Sequence, residues 1–168
     1  MPTPCYLTLK GETMGLISAG ALGKQSVGTA WKEGHEDQIL VQSYEFGIAV
    51  PSGMGPGRRM HKPFSVRKSI DKSSPLINTA LCSGELLTQC RLEFYRAAGE
   101  GQQEHFYTVE LKGAVIIGAD AYMPDCREPR FEHLHPMETV RFSYREISWI
   151  HEVGGTIGFD EWREAQQA

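Results

Sequence analysis

One segment restricts the fold more than any other. From Ile39 to Val50 the chain alternates: Leu40, Tyr44, Phe46, Ile48 and Val50 share one parity, interrupted only by Gln42, and Ser43, Glu45, Gly47 and Ala49 fall on the other. A period of two over so many residues predicts a long strand with one buried face and one smaller, wetter face. The strand is entered from the acidic turn Gly34-His35-Glu36-Asp37 and left through Pro51. Such a strand suits the wall of a barrel or sandwich.

Other segments repeat the signal. Cys5 to Lys10 reads as a first strand with Cys5, Leu7 and Leu9 on one face, and Leu16 to Lys32 as Gly-, Ala- and Ser-rich chain of weaker strand character. Phe64 to Asp71 resumes a strand. Leu86 to Ala97 and Gln102 to Lys112 form a hairpin about Gly99-Glu100-Gly101; Thr88, Cys90, Leu92 and Phe94 alternate with polar residues in the first arm, and His105, Tyr107, Val109 and Leu111 do so in the second. Ala114 to Met123 is almost wholly apolar, which predicts burial on both sides or packing against a helix. Thr139 to His151 reads as a last long strand with Val140, Phe142 and Tyr144 inward, followed after Val153 by a tail. One helix interrupts the series. Ser74 is its expected cap, Pro75 fits the first helical position, Leu76, Ile77, Ala80 and Leu81 form its apolar stripe, and Gly84 ends it. The expected fold is mainly β: a compact β-barrel with one α-helix on its side. At 168 residues, with no repeat or linker, it is expected to be a single domain over 1–168.

Charge and composition exclude some functions. A formal net charge of −4 gives no support to nucleic-acid binding. No run of about 18 apolar residues suggests a membrane span, and no signal peptide precedes the first strand. Synthesis in the cytoplasm is expected, with any export by a route that needs no cleaved leader. Cys5, Cys82, Cys90 and Cys126 lie far apart without a C-x-x-C pair, as in a reduced protein whose cysteines act as small hydrophobes.

Candidate chemistry is sparse. His133-Leu134-His135 offers two ligands, short of the three or four that zinc takes, and lies in the loop from Pro124 to Pro136. No metal and no cofactor is expected. His35, Glu36 and Asp37 are adjacent in a turn, so their side chains diverge rather than converge on one substrate atom; a solvated turn placed for an intersubunit contact is the reading. Ser65-Val66-Arg67-Lys68 matches S-x-x-K, but in a strand Ser65 and Lys68 face opposite sides. Ser52, Gly53, Met54, Gly55, Pro56, Gly57, Arg58 and Arg59 lack the G-K-[ST] of a phosphate loop; within Pro51 to Lys62 they form a Gly- and Pro-rich loop without regular structure, suited to protein contact.

Five blocks carry a resemblance: Pro2-Thr3-Pro4-Cys5-Tyr6; Glu33-Gly34-His35-Glu36-Asp37 with Leu40-Val41-Gln42; His61-Lys62-Pro63-Phe64; Ser143-Tyr144-Arg145-Glu146-Ile147; and Gly158-Phe159-Asp160-Glu161-Trp162. In this order they resemble the haemolysin-coregulated protein (Hcp) family, which builds the inner tube of type VI secretion systems. The resemblance implies a β-barrel with one helix and no catalysis. It implies six-membered rings that stack into a tube, effectors in the channel, and contact with a contractile sheath and a spike protein of the VgrG type. It also implies secretion through that system. The loop Ser52 to Arg59 would then touch the next ring, with Arg58 and Arg59 meeting acids such as Glu36, Asp37, Asp160 or Glu161. Two other readings remain from the residues alone: a small metal-dependent hydrolase resting on His133 and His135, and a monomeric ligand-binding barrel.

Overall fold

The structure, a computed structural model, describes residues 3–162. Its chain order is β1 (Cys5–Gly11), β2 (Gly15–Leu16), α1 (Lys24–Val27), a 3-10 turn, β3 (Ile39–Glu45), β4 (Ile48–Ala49), β5 (Met60–His61), β6 (Phe64–Ser69), α2 (Ser74–Ser83), β7 (Leu86–Ala97), β8 (Gln103–Lys112), β9 (Ala114–Tyr122), a second 3-10 turn, β10 (Met137–Ser143), β11 (Glu146–His151) and β12 (Thr156–Glu161). Ten strands form one antiparallel sheet in the order β12-β11-β8-β7-β9-β10-β6-β3-β1-β2, and β1 also pairs with β7. The hydrogen-bonded path from β7 through β9, β10, β6, β3 and β1 therefore returns to β7. The strands β8, β11 and β12 extend outside that circuit. The β-dominated class expected from the sequence is the one observed, with α2 packed beside β9.

The core follows the alternation. Leu7 and Leu9 on β1, Cys90 and Leu92 on β7, Val109 and Leu111 on β8, Phe64 and Val66 on β6, and Val140 and Phe142 on β10 all point inward and are buried. Strands β7 and β8 form the expected hairpin, whose register pairs Cys90 with Leu111, Leu92 with Val109 and Phe94 with Tyr107.

The segment from Ile39 to Val50 departs from its expected form. It breaks into β3 and β4, and the buried residues at its start are Ile39 and Val41, of opposite parity to that expected. A bulge between Val41 and Ser43 shifts the register against β6, and an extra residue on one strand exchanges the inward and outward sets. Tyr44 still reaches Phe64 and Phe94, with ring centroids 5.9 and 4.9 Å apart, yet Ile48 and Val50 end up exposed.

Two other expectations are corrected. The last long strand is two, β10 and β11, bent at Tyr144 and Arg145, and the expected tail contains β12, antiparallel to β11. The chain also bends between β8 and β9 at Gly113, with Arg145 beside it. Gly113 has φ +61°, and a Cβ there would lie 3.0 Å from Arg145 Cβ. Gly113→Ala should therefore lower stability by about 2 kcal/mol, through left-handed strain plus crowding, read as a drop in the urea midpoint without a change in slope. The segment Leu16 to Lys32 is chiefly turn, α1 and 3-10 turn rather than strand.

Helix α2 ends at Gly84 in the left-handed conformation, as expected. Its cap position is Ser73, not Ser74, and Leu76 is exposed while Ile77 and Ala80 carry the packing. The Ser74 hydroxyl turns inward instead. It receives Lys68 Nζ at 3.1 Å and donates to Glu138 Oε1 at 2.6 Å. Lys68 also pairs with Glu138 directly and with Asp71 at 3.0 Å. Lys68 on β6 and Glu138 on β10 are register partners, so this buried group binds the start of α2 to the sheet. Ser65 and Lys68 do face opposite sides, because Lys68 is fully buried and Ser65 lines an outer groove with Arg67 and Thr139.

Candidate functional site

The residues from Pro51 to Arg59 are the tip of an arm rather than a free loop. Ile48 pairs with His61 and Ala49 with Met60, forming a two-stranded ribbon apart from the main sheet. The tip turns through Met54 N to Pro51 O and Arg58 N to Gly55 O. Ser52, Gly53, Met54, Gly55, Pro56, Gly57 and Arg58 are exposed. The expectation that no regular structure occurs between Pro51 and Lys62 fails at its end, where Met60 and His61 form β5. Ile48, Val50, Met54 and Met60 are exposed together on this arm. The register puts Ile48 on the face of His61 and Met60 on the opposite face with Ala49, so this projection carries exposed apolar side chains on both faces, as a contact element does.

A clamp holds the base of the arm to the sheet. Arg59 donates from Nε and Nη2 to the two oxygens of Asp160 on β12, at 2.6 and 2.8 Å, and from Nη2 to the Glu161 carbonyl at 3.1 Å. His61 Nε2 lies 2.7 Å from Asp160 Oδ2, and Nδ1 lies 2.7 Å from the Tyr144 hydroxyl. A carboxylate only accepts, so Nε2 carries the hydrogen. Burial raises the Tyr144 phenol well above its usual range, so it keeps its proton and donates to Nδ1. Trp162 stacks on His61 at 4.8 Å. Asp160 is held below the ordinary carboxylate range, first by the Arg59 hydrogen bonds and further by His61, against an opposing effect of burial. The order Asp160-His61-Tyr144 looks like a proton relay, but Tyr144 is buried and its proton is held more tightly than usual, so the arrangement serves as a strut.

The clamp changes the expectation for the arginines. Arg59 is bound to Asp160 of its own chain, and Arg58 alone stands exposed at the tip. Sequence reasoning missed the clamp because its members are about a hundred residues apart.

The acidic turn is also tied down. The His35 ring stacks on Tyr6 at 3.9 Å and 2°, and Tyr95 meets both edge-on. His35 Nδ1 lies 2.5 Å from Gln38 Oε1, and Gln38 Nε2 donates to Glu93 at 2.7 Å. Glu36 accepts from the Gly34 amide and Asp37 from the Gly20 amide. His35, Glu36 and Asp37 thus diverge, as expected. His35 glues its turn over β1 and β7, and the two acids stay exposed.

His133 and His135 are exposed, and His135 borders a groove with Pro136. Among the described residues no three His, Cys, Asp or Glu side chains come together around a point that could hold a metal. No helix among the described residues is long and apolar enough to cross a membrane. All four cysteines are free; Cys5 and Cys90 are buried, and Cys82 and Cys126 are exposed, unlike the buried hydrophobes expected of them.

The chain as a whole has known counterparts. Residues 6–151 match the family described as "Type VI secretion system effector, Hcp". The major exported protein of Pseudomonas aeruginosa is 45% identical over 167 residues, 97% of either chain. A solved Hcp protein superposes with a TM-score of 0.90 at 39% identity, over 95% of this chain and 98% of that one. The secreted protein Hcp3 of P. aeruginosa gives 0.83 at 42% identity, over 96% and 99%. The chain belongs to the Hcp family, and it is a β-rich tube protein of the type VI secretion system. That family is one of structural secreted proteins and not of enzymes.

Proposed function

We propose that this chain closes into rings of six subunits, that the rings stack into a tube, and that the tube carries effectors in its channel and is exported by the type VI system. The observation that carries the reading is the match to Hcp proteins over nearly the whole length. The name of the P. aeruginosa relative agrees with export. The chain works without a catalytic centre, metal or cofactor, and engages a spike protein and a contractile sheath. Native mass spectrometry and negative-stain images test assembly: a single hexameric species with an open centre is expected, and monomer at every concentration refutes the ring.

The arm is the ring-stacking element. Its apolar residues Ile48, Val50, Met54 and Met60 give it surface to bury, and Arg58 gives it charge. Arg58→Glu should leave the fold and the rings intact, shorten stacked tubes, and do so more at low salt than at moderate salt, because an exposed charge contact is screened. Equal tube lengths for parent and variant would remove Arg58 from the stacking contact.

Replacing His133 and His135 together by Ala should shift stability by less than about 0.5 kcal/mol, as exposed loop residues do. Stoichiometric zinc in the parent, absent from the double variant, would restore the metal reading.

A further inference from the structure

The outermost strand of the sheet carries the largest apolar exposure of the core-distant surface. β12 lies at the end of the strand order, so one of its backbone edges has no ladder partner. Ile157 is 74% exposed and Phe159 67%. Their register partners on β11 are Ile150 and Ser148, so Ile150 joins them on the same face, and Val153 stands exposed in the connecting turn. An open strand edge with apolar side chains is an aggregation hazard unless something covers it in the working state. Among the described residues nothing does so. His35 and its turn cover the same sheet only over β1 and β7.

A complementary concavity lies away from this ridge. It is an apolar groove of about 460 Å³ between the α1 segment and the ends of β3 and β6. Leu22, Val27, Ala30, Leu40, Ile70 and Pro136 form its apolar lining. The one carboxylate in the wall, Asp71, is already paired with Lys68. The groove and the ridge are built from different elements: α1 follows β2, which pairs with β1, whereas β12 pairs with β11.

Charge matches as well. Glu110, the register neighbour of Ser148, and Glu152 border the ridge, with Arg91 beyond them held within 4.0 Å of Glu152. Exposed Lys24, Lys32 and Lys72 stand around the groove. The Lys32 amide binds the Leu22 carbonyl, and the Lys72 amide binds the Ser26 hydroxyl at 2.8 Å. Glu33, Glu36 and Asp37 are exposed in the same segment, the last two accepting from glycine amides.

We infer that the β12 ridge of one subunit docks into the α1–β3–β6 groove of a second copy, and that this contact closes the ring. The inference rests on the ring assembly proposed above. Two different, complementary surfaces on one chain make a heterologous contact, and a heterologous contact repeated by rotation is what a closed ring requires. Ile157 and Phe159 form the central apolar anchor, and the acids around them meet the lysines of the groove at its rim.

The test uses two variants of the full chain: a ridge variant, Ile157→Asp with Phe159→Asp, and a groove variant, Val27→Glu with Ala30→Glu. None of the four side chains is a core residue, so each variant should keep the parent's circular dichroism and thermal midpoint. Each alone should run as a monomer by native mass spectrometry at concentrations where the parent forms rings, the contact being weakened at least roughly thirtyfold. An equimolar mixture should yield dimers and nothing larger, since the groove variant's intact ridge fits the ridge variant's intact groove. Rings from the ridge variant overturn the proposal. Rings from the groove variant alone, or no dimer in the mixture, overturn the assignment of the groove as the receptor. A parent that forms no ring at any concentration refutes the ring reading itself, a result separate from any of these.

Discussion

Lys68→Met should cost roughly 3–5 kcal/mol of folding stability, a large share of the 5–15 kcal/mol typical of a domain. Lys68 is fully buried, and its ammonium is the one cation between Glu138 and Asp71, with Ser74 bridging. Removing it leaves two carboxylates together in the interior with no cation between them. Asp71 would keep its bonds from the Ser73 amide and hydroxyl, but Glu138 would keep only the Ser74 hydroxyl. The damage should be local to the junction of α2, β6 and β10. The measurement is urea unfolding by fluorescence and circular dichroism together. A second variant separates lost attraction from stranded charge. Lys68→Met with Glu138→Leu should regain much of the loss, because an apolar pair of similar volume often replaces a buried ion pair at little cost. A double variant as unstable as the single one would mean that the ion group has a structural role that packing cannot replace.

That cluster also shows where reading the sequence stops. The parity of β6 places Lys68 on the same face as Phe64 and Val66, so its burial was open to inference, yet a lysine in a charged pair with Arg67 reads as surface. Its partners lie 3 and 70 positions away, and only the antiparallel register of β6 with β10 brings Glu138 opposite. Local signals fared better. Gly84 after an apolar helix and the paired alternation of β7 and β8 each depend on a few neighbouring residues, and the structure keeps them. The bulge after Val41 inserts a residue without any glycine or proline to announce it, and the inward set passes from Ile39 and Val41 to Tyr44; Ile48 and Val50 are exposed for a different reason, because the chain leaves the main sheet after Glu45 and pairs as β4 with β5 alone. β12 was hidden by the glycines around it, although Ile157 and Phe159 alternate with Gly158 and Asp160 as a strand should. In the candidate sites, the outward placement of Ser52 to Arg58 was legible from composition. The capture of Arg59 was not, because Asp160 is distant in sequence and near only in the folded sheet.

Asp160→Ala should unseat the arm. It removes the acceptor of two Arg59 bonds and one His61 bond, and leaves the buried imidazole N–H without a partner. A buried donor stranded in this way costs about 2 kcal/mol. The loss of stability is the smaller consequence. With its bidentate carboxylate gone, Arg59 keeps only the Glu161 carbonyl and His61 only the Tyr144 hydroxyl, beside the short β4–β5 pairing and the Phe46 and Trp162 contacts, so the apolar tip would be held less firmly at its angle. Rings should survive while tubes fail, which differs from Arg58→Glu because here added salt should not rescue the parent-like length. Acid provides an independent check. The Asp160 pKa lies below its ordinary value of 3.8 in the folded protein, so its contribution is complete above about pH 4 and is lost as pH falls through the lower folded value. Asp160→Asn removes that titration but keeps an acceptor for one of the donors. Between pH 4 and pH 2 the parent should therefore lose stability more steeply than Asp160→Asn. Parallel acid slopes would show that the carboxylate is not linked to folding, and the arm would then be held by its aromatic contacts alone.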